Sequence, residues 1–359
     1  MEQFQNALGM LDLIQQPAFC VQRGTIMKVN PAAAVFLIEP GAKVETLLHT
    51  GAEEYADFCG GSLYLTLSIC GQHIGASVTR MQEFDVFTLE QAEADAHLQA
   101  LALAARELRE PLSNVMITAD KLFPELANGD EKTQDQLSRM NRGLFQLLRI
   151  VSNMSDASNY CADMGAHQEV RDICGVLDEI FRHAATLTAH TAVTLNYTGH
   201  PESVYTLADA QKLERMVLNI LSNAIKFTPP GGTINAKLTR RGMRMYLSVC
   251  DSGSGIPENL RGSVFSRYTR EPGLEDGRYG LGLGLALIRR TATLHGGTVL
   301  IDHPDQAGTR ITVSFAIRQG SAMVRSPRFR IDYAGERDHG LIELSDVLPA
   351  HLYDPDTIN

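Results

Sequence analysis

Asn219-Ile-Leu-Ser-Asn223-Ala-Ile-Lys226-Phe227, followed by Asp251-Ser-Gly253-Ser-Gly255-Ile-Pro257 and then Gly280-Leu281-Gly282-Leu-Gly284-Leu, is the series whose reading decides the fold of this 359-residue chain. Leu213, Met216, Val217, Ile220, Leu221 and Ala224 recur at three- and four-residue steps, so the first stretch is predicted to be a helix. Met245 to Cys250, ahead of the second, is a short apolar run that reads as a strand. The third opens another apolar helix, Leu285 to Leu294. A glycine turn before a helix N-terminus presents bare N–H groups and a positive dipole end, which suits a phosphate. A carboxylate at the end of a buried strand can accept hydrogen bonds from an amino-bearing ring. An Asn on a facing helix offers an oxygen to a hard cation. Together they describe a nucleotide pocket.

One such motif alone is weak evidence, since a lone GxGxG is more often a turn or a packing contact. In this order and spacing, the three resemble the ATP-binding domain shared by sensor histidine kinases, DNA gyrase and the mismatch-repair ATPases, as its N, G1 and G2 boxes. The resemblance implies that Asp251 holds the adenine amino group, Asn223 ligates Mg²⁺, Lys226 contacts phosphate, and Gly280, Gly282 and Gly284 shape the lid and triphosphate loop. Asn219, Phe227, Gly253, Gly255, Arg270 and Leu281 complete the implied ATP-binding set. Gyrase-type members carry a water-activating Glu four residues before the metal-binding Asn, where this chain has Asn219. Val264-Phe265-Ser-Arg267-Tyr-Thr-Arg270 is similar to the histidine kinase F box, and Thr293-Leu-His295-Gly296-Gly297 also follows the kinase pattern. The branch is therefore identified as histidine kinase. His295, a helix-end residue ahead of a Gly-Gly stop, reads as packing rather than chemistry.

Upstream, positions 87, 91, 94, 98, 101, 105, 108, 112, 115, 119 and 122 step by four and three, and a second apolar series runs 137, 140, 144, 147, 151, 154, 158. A sustained 3.5-residue period makes an apolar seam, and two such helices joined by a turn through Pro124, Asn128 and Gly129 make a hairpin. One hairpin cannot cover its stripe on all sides, and two can, as a four-helix bundle; a homodimer is expected. Histidine kinases keep their phosphoacceptor helices here. Ala105-Arg106-Glu107-Leu108-Arg109-Glu110-Pro111-Leu112 resembles their H box, with Arg106 where the family has its histidine. A neutral imidazole offers a nitrogen lone pair; a guanidinium stays protonated and only donates. His97, nine residues earlier, lies about half a turn out of phase and some 13 Å along the axis, so it is no substitute. Glu107, by resemblance the base assisting that histidine, has no proton to manage and reads as a solvated carboxylate. Pro111 removes an N–H and is expected to bend the helix.

Phe19–Val21 and Gly24–Val29 read as a hairpin, and Asn30 to Leu37 as a helix N-capped by Asn30. Leu63–Ile69 and Ala76–Arg80 follow as strands, with Gly71 and Gly75 bounding the turn. The order is similar to a PAS domain, including its G-x-I-x-x-V-N-x-A-A core. Cys20 and His73 read as core or surface residues rather than haem or metal ligands. The expected organisation is a multidomain α+β chain: a PAS-like α/β sensor at 1–85, a helical hairpin at 86–162, an α/β sandwich ATP-binding (Bergerat) domain at 163–319 and a tail at 320–359. The tail, including Leu341 to Leu348, either packs back on the ATP domain or binds a partner.

Composition bounds the function classes. Net charge of −10 argues against a nucleic-acid surface, and the short cluster Arg325, Arg328, Arg330 does not change that. Six scattered cysteines, with no CxxC or metal spacing, fit buried free thiols in a reducing, cytoplasmic compartment. No apolar run approaches the ~20 residues that cross a bilayer, and the first residues lack a signal-peptide pattern. Two functions are expected: a cytosolic Mg·ATP-dependent histidine-kinase-type phosphotransferase working with a response regulator, or an ATP-binding pseudokinase acting as a dimeric scaffold for a partner kinase or regulator.

Overall fold

The computed structural model describes residues 9, 11–81, 84–90, 94–126, 130–158, 168–257, 264–265, 283–304, 307–318 and 337–354. Strands β1 (Ala18–Gln22) and β2 (Thr25–Val29) form the expected antiparallel hairpin. Its two-residue turn, Arg23-Gly24, has φ of +50° and +76°, the turn whose twist matches paired strands. Asn30 caps the 3₁₀ helix Pro31–Phe36: its Oδ1 accepts from the Ala33 N–H at 3.0 Å and from the Ala18 N–H at 2.9 Å. Next come β3 (Leu48–Thr50), the short helix α1 (Ala52–Ala56), β4 (Ser62–Ile69), β5 (Gln72–Met81) and β6 (Phe84–Leu89). The β4–β5 turn is Cys70-Gly71, both at positive φ, and Gly75 lies inside β5 rather than at the turn. A Cβ on Gly75 would stand 2.1 Å from the Tyr64 hydroxyl, so close packing explains that glycine.

Two helices follow, α2 (Ala94–Leu126) and α3 (Glu131–Ser158), packed as a hairpin. Phe87, expected at the head of this helical stripe, lies in β6 and stacks on Phe19 at 4.8 Å; periodicity alone cannot tell where a strand gives way to a helix. The stripe itself divides. Ala105, Ala119, Leu137, Leu144, Val151 and Met154 are buried, whereas Leu108, Val115, Leu122, Met140 and Leu147 are each about half exposed, at heptad spacing along each helix.

The remaining elements are β7 (Glu169–Asp172), α4 (Ile173–Thr188), β8 (Thr194–Thr198), β9 (Tyr205–Ala208), α5 (Ala210–Phe227), β10 (Thr233–Arg241), β11 (Arg244–Asp251), α6 (Gly284–Leu294), β12 (Val299–Asp302), β13 (Arg310–Ala316) and α7 (His339–Glu343). Helices α4, α5 and α6 contribute the buried residues that form one core with β10, β11 and β13, giving a helix-on-sheet sandwich. One continuous sheet runs β2-β1-β6-β5-β4-β12-β13-β11-β10-β8. The join is β4 with β12, antiparallel, pairing Tyr64 with Val299 and Ser62 with Ile301. Gly61 makes it possible, since a Cβ there would sit 2.3 Å from the Ile301 carbonyl oxygen. Arg244–Glu54 at 2.5 Å and Arg289–Glu90 at 2.8 Å bridge the same seam, with the Arg289 guanidinium over the Tyr64 ring.

The tail resolves one alternative left by the sequence: it packs back. Residues 337–354 lie against α3, α4 and α5 and bury Leu341, Ile342, Leu344, Leu348 and Tyr353. Tyr353 meets Phe145 edge to face at 5.2 Å and donates to the Leu341 carbonyl at 2.7 Å. Among the described residues, no helix is long and apolar enough to cross a membrane.

Candidate nucleotide site

Helix α5 is positioned by its inner face: Leu213, Met216, Val217, Ile220 and Leu221 are all buried. Asp209 caps its start, accepting from the Lys212 N–H at 3.1 Å. That cap is held by His295, whose Nε2 accepts from the Asp209 N–H at 3.1 Å while its Nδ1 donates to the Thr291 carbonyl at 2.7 Å. Burial pushes the His295 pKa down to about 4, so the ring is neutral and structural, as read from sequence.

Asp251 ends β11 and is 9% exposed. Its Oδ1 accepts from the backbone N–H of Gly253 at 2.9 Å and of Thr309 at 3.2 Å. Burial raises its pKa, and those two N–H groups oppose the rise. Gly253 abuts the end of α5, where a Cβ would come within 2.5 Å of the Phe227 carbonyl oxygen. Gly255 has φ +75° and packs on the Gly308 carbonyl. The first and second motifs therefore touch.

The third motif meets the first at Gly284, the start of α6. A Cβ there would lie 3.2 Å from Asn219 Oδ1 and 4.0 Å from Asn223 Nδ2. Asn223 is half-buried and Asn219 nearly fully buried. Lys226 is half-buried, its Nζ 5.7 Å from the Phe227 ring centroid. Phe265 is buried against Tyr64 of β4 at 5.8 Å, tying the stretch between motifs to the first sheet half. Arg270, Gly280, Leu281 and Gly282 lie outside the described residues.

Ala105, just before Arg106, is buried in a cluster with Val151, Met154 and Leu283, the residue preceding α6. The H-box-like stretch thus stands beside the third motif. Arg106 and Glu107 are exposed, and Arg109 donates to Ser155 Oγ at 3.1 Å.

Sequence reasoning missed Thr309, whose backbone N–H is the second donor to Asp251; the Gly308-Thr309 step ahead of an alternating strand was its available signal. It also missed Glu343. This residue is fully buried, with Oε1 2.9 Å from Arg215 Nε, Oε2 3.3 Å from Asn219 Nδ2 and Oε2 3.4 Å from Arg149 Nε. Arg149 also donates to Ser222 Oγ at 3.2 Å, and Arg215 to Asn153 Oδ1 at 2.8 Å, so α3 is cross-tied to α5.

These donors suit a base with an amino edge, a phosphate chain and a hard cation that keeps most of its shell. Among the described residues no group of three or more His, Cys, Asp or Glu side chains could hold a metal on its own.

Residues 208–319 match the family described as histidine kinase-, DNA gyrase B- and HSP90-like ATPase. Hybrid signal transduction histidine kinase D of Dictyostelium discoideum is 30% identical over 60% of this chain and 14% of its own length. Adaptive-response sensory kinase SasA of Crocosphaera subtropica is 29% identical over 57% of this chain and 55% of its own. Circadian input-output histidine kinase CikA of Synechococcus elongatus is 30% identical over 65% and 32%. The chain thus spans between 14% and 55% of the length of these relatives. Among solved structures, full-length ShkA in complex with AMPPNP overlaps 62% of this chain and 47% of its own at 24% identity, TM-score 0.47. The histidine kinase ThkA in complex with the response regulator protein TrrA overlaps 85% and 96% at 14% identity, TM-score 0.42.

Proposed function

We propose that the chain is a member of the sensor histidine kinase family through its ATP-binding domain, an Mg·ATP-binding signalling protein whose acceptor for phosphate is not on its own H-box position. The observation that carries the reading is that α5 joins the three motifs: Asn219 and Asn223 abut Gly284 at the start of α6, and the helix end at Phe227 abuts Gly253 beside Asp251. In this reading Asp251 orients the adenine amino group, with Oδ1 already held by the Gly253 and Thr309 N–H groups. Asn223 gives an amide oxygen to Mg²⁺, and Lys226 with Arg270 meets the phosphates. Gly284 lies beside Asn219 and Asn223 at the start of α6, and the resemblance alone assigns Gly280 and Gly282 to the triphosphate loop. Bound Mg²⁺ neutralises phosphate charge; the side chains around it orient and desolvate the nucleotide.

Arg106 sets the direction of the signal. It is exposed on α2, one residue from the Ala105–Leu283 contact, where a lone pair would be needed and a guanidinium has none. Phosphate would therefore pass to another protein, a response regulator or partner kinase, or the nucleotide would serve as a structural ligand in a pseudokinase scaffold. The exposed heptad positions Leu108, Val115, Leu122, Met140 and Leu147 support a homodimeric four-helix bundle as the output element. The first sheet half, with its Asn30-capped turn, supports a PAS-like sensor, and a cytoplasmic site of action agrees with the scattered thiols.

Incubation of the purified protein with γ-labelled ATP, alone and with candidate partners, tests the reading. Label on a partner supports transfer in trans; ATP binding with no transfer to any partner supports the scaffold. Acid-labile label on the wild-type chain alone would sink the scaffold reading. The Arg106→His variant is expected to acquire acid-labile label only if the protein can act as a kinase.

A further inference from the structure

We infer that the C-terminal tail completes the nucleotide site, with Glu343 as a positioning residue that sets the side-chain amide of Asn219. The inference rests on the nucleotide reading of that pocket and adds a member to it from outside the matched domain.

Glu343 ends α7 and is fully buried. A carboxylate in such a place is held only when paired and hydrogen-bonded. Here the guanidiniums of Arg149 and Arg215 supply the counter-charge. One oxygen remains engaged with Asn219 Nδ2. That bond contributes to setting which end of the Asn219 amide turns toward Gly284. Nδ2 also donates to the Arg215 carbonyl at 2.9 Å, so both neighbours on that side are acceptors. Only the NH₂ end can face them, and Oδ1 is turned toward Gly284 at the start of α6. Replace the carboxylate by a donor and the preference falls, because an amide can rotate by half a turn at little steric cost.

The tail is built for this placement. Asp338 caps α7, accepting from the Leu341 N–H at 3.0 Å. His339 meets Glu214 at 2.7 Å and His183 meets Asp338 at 2.9 Å, fixing the start of the tail on α5 and α4. Arg142 donates to the carbonyls of Ser345 and Asp346, and Asn141 to that of Tyr353, fixing its end on α3. Glu343 is thereby placed between the hairpin and α5, and the nucleotide site and the hairpin share one buried carboxylate.

The test is a double-variant cycle on the full chain, read as affinity for Mg·AMPPNP and, separately, for ADP without metal. Glu343→Gln is expected to weaken Mg·AMPPNP binding on the order of tenfold, the size usual for loss of an outer-shell group behind a metal site. Metal-free ADP, held through Asp251, should stay within about twofold. In an Asn219→Ala background, Glu343→Gln should cause no further loss, because the group through which it acts is gone. Additive losses in the double variant, or unchanged Mg·AMPPNP affinity in Glu343→Gln, would overturn the inference. Should the Gln variant fail to fold, Glu343→Asp keeps the charge between the guanidiniums and withdraws it from Asn219 by one methylene. It is expected to show the same metal-selective loss, and its absence there counts equally against the inference. A wild-type chain that binds neither ligand would instead remove the nucleotide reading itself.

Discussion

Helices α2 and α5 carry apolar stripes of similar regularity and meet opposite fates. Every apolar stripe position of α5 is buried within one chain, because α4, α6 and the sheet enclose it. Half of the stripe of α2 stays exposed, since α3 and Leu283 cover only the side containing Ala105 and Ala119. A helix finished by its own chain can be a fixed wall for a ligand. A helix left half-covered is a surface that the proposed homodimer would bury. The stability of the first should be independent of protein concentration and that of the second dependent on it.

The largest effect should come from breaking the finished helix. Leu221→Ala removes a fully buried side chain and is expected to cost about 2–5 kcal/mol, read as a lowered denaturant midpoint at any concentration. Next is the polar end of the same wall. Asp251→Asn exchanges the acceptor of two backbone N–H groups, and the proposed acceptor of the adenine amino group, for an amide, and should lose about 1.5–3 kcal/mol of nucleotide affinity by calorimetry. Unchanged affinity would disprove the pocket assignment.

The unfinished helix should respond differently. Val115→Lys with Leu122→Lys falls on half-exposed positions and should change the stability of the single chain by less than about 0.5 kcal/mol. It should nevertheless convert a dimer to a monomer by light scattering. A wild-type monomer at all concentrations would break the comparison.

The smallest effect concerns the tail, which touches both helix systems. The hydrogen bond that His183 donates to Asp338 raises the His183 pKa against an opposing burial effect, and the docked pair favours the protonated ring. A raised folded-state pKa means that this contribution is complete below the free value of about 6.5 and is lost as pH rises through the higher docked value. Hydrogen-exchange protection of residues 338–348, corrected for the intrinsic rate at each pH, should therefore fall across neutral pH in the wild type and stay level in His183→Gln.

Much of the site was legible because its parts are local. Asn219 and Asn223 share one helix turn, and Asp251 with Gly253 and Gly255 make one strand end, so spacing alone expresses their geometry. His295 was legible as structure from its Gly-Gly stop. Glu343 was not, because 124 residues separate it from Asn219 and nothing in Leu341 to Leu348 specifies a partner. The β4–β12 join was equally hidden: strand pairing is made by backbone groups common to all residues, and only Gly61, read after the fact, marks the approach. The strand β6, taken as helix at Phe87, failed because a single apolar residue fits either period.

By itself the sequence determined the three glycine- and Asn-bearing motifs, the arginine at position 106 and the heptad stripes, since each is a property of neighbours along the chain. Tertiary structure alone decided that the two sheet halves are continuous, which half of the α2 stripe is covered, and that the tail returns to place a carboxylate on Asn219. Those are contacts between distant segments, chosen by which complementary surfaces the folded core brings within bonding distance, and no local pattern encodes that choice.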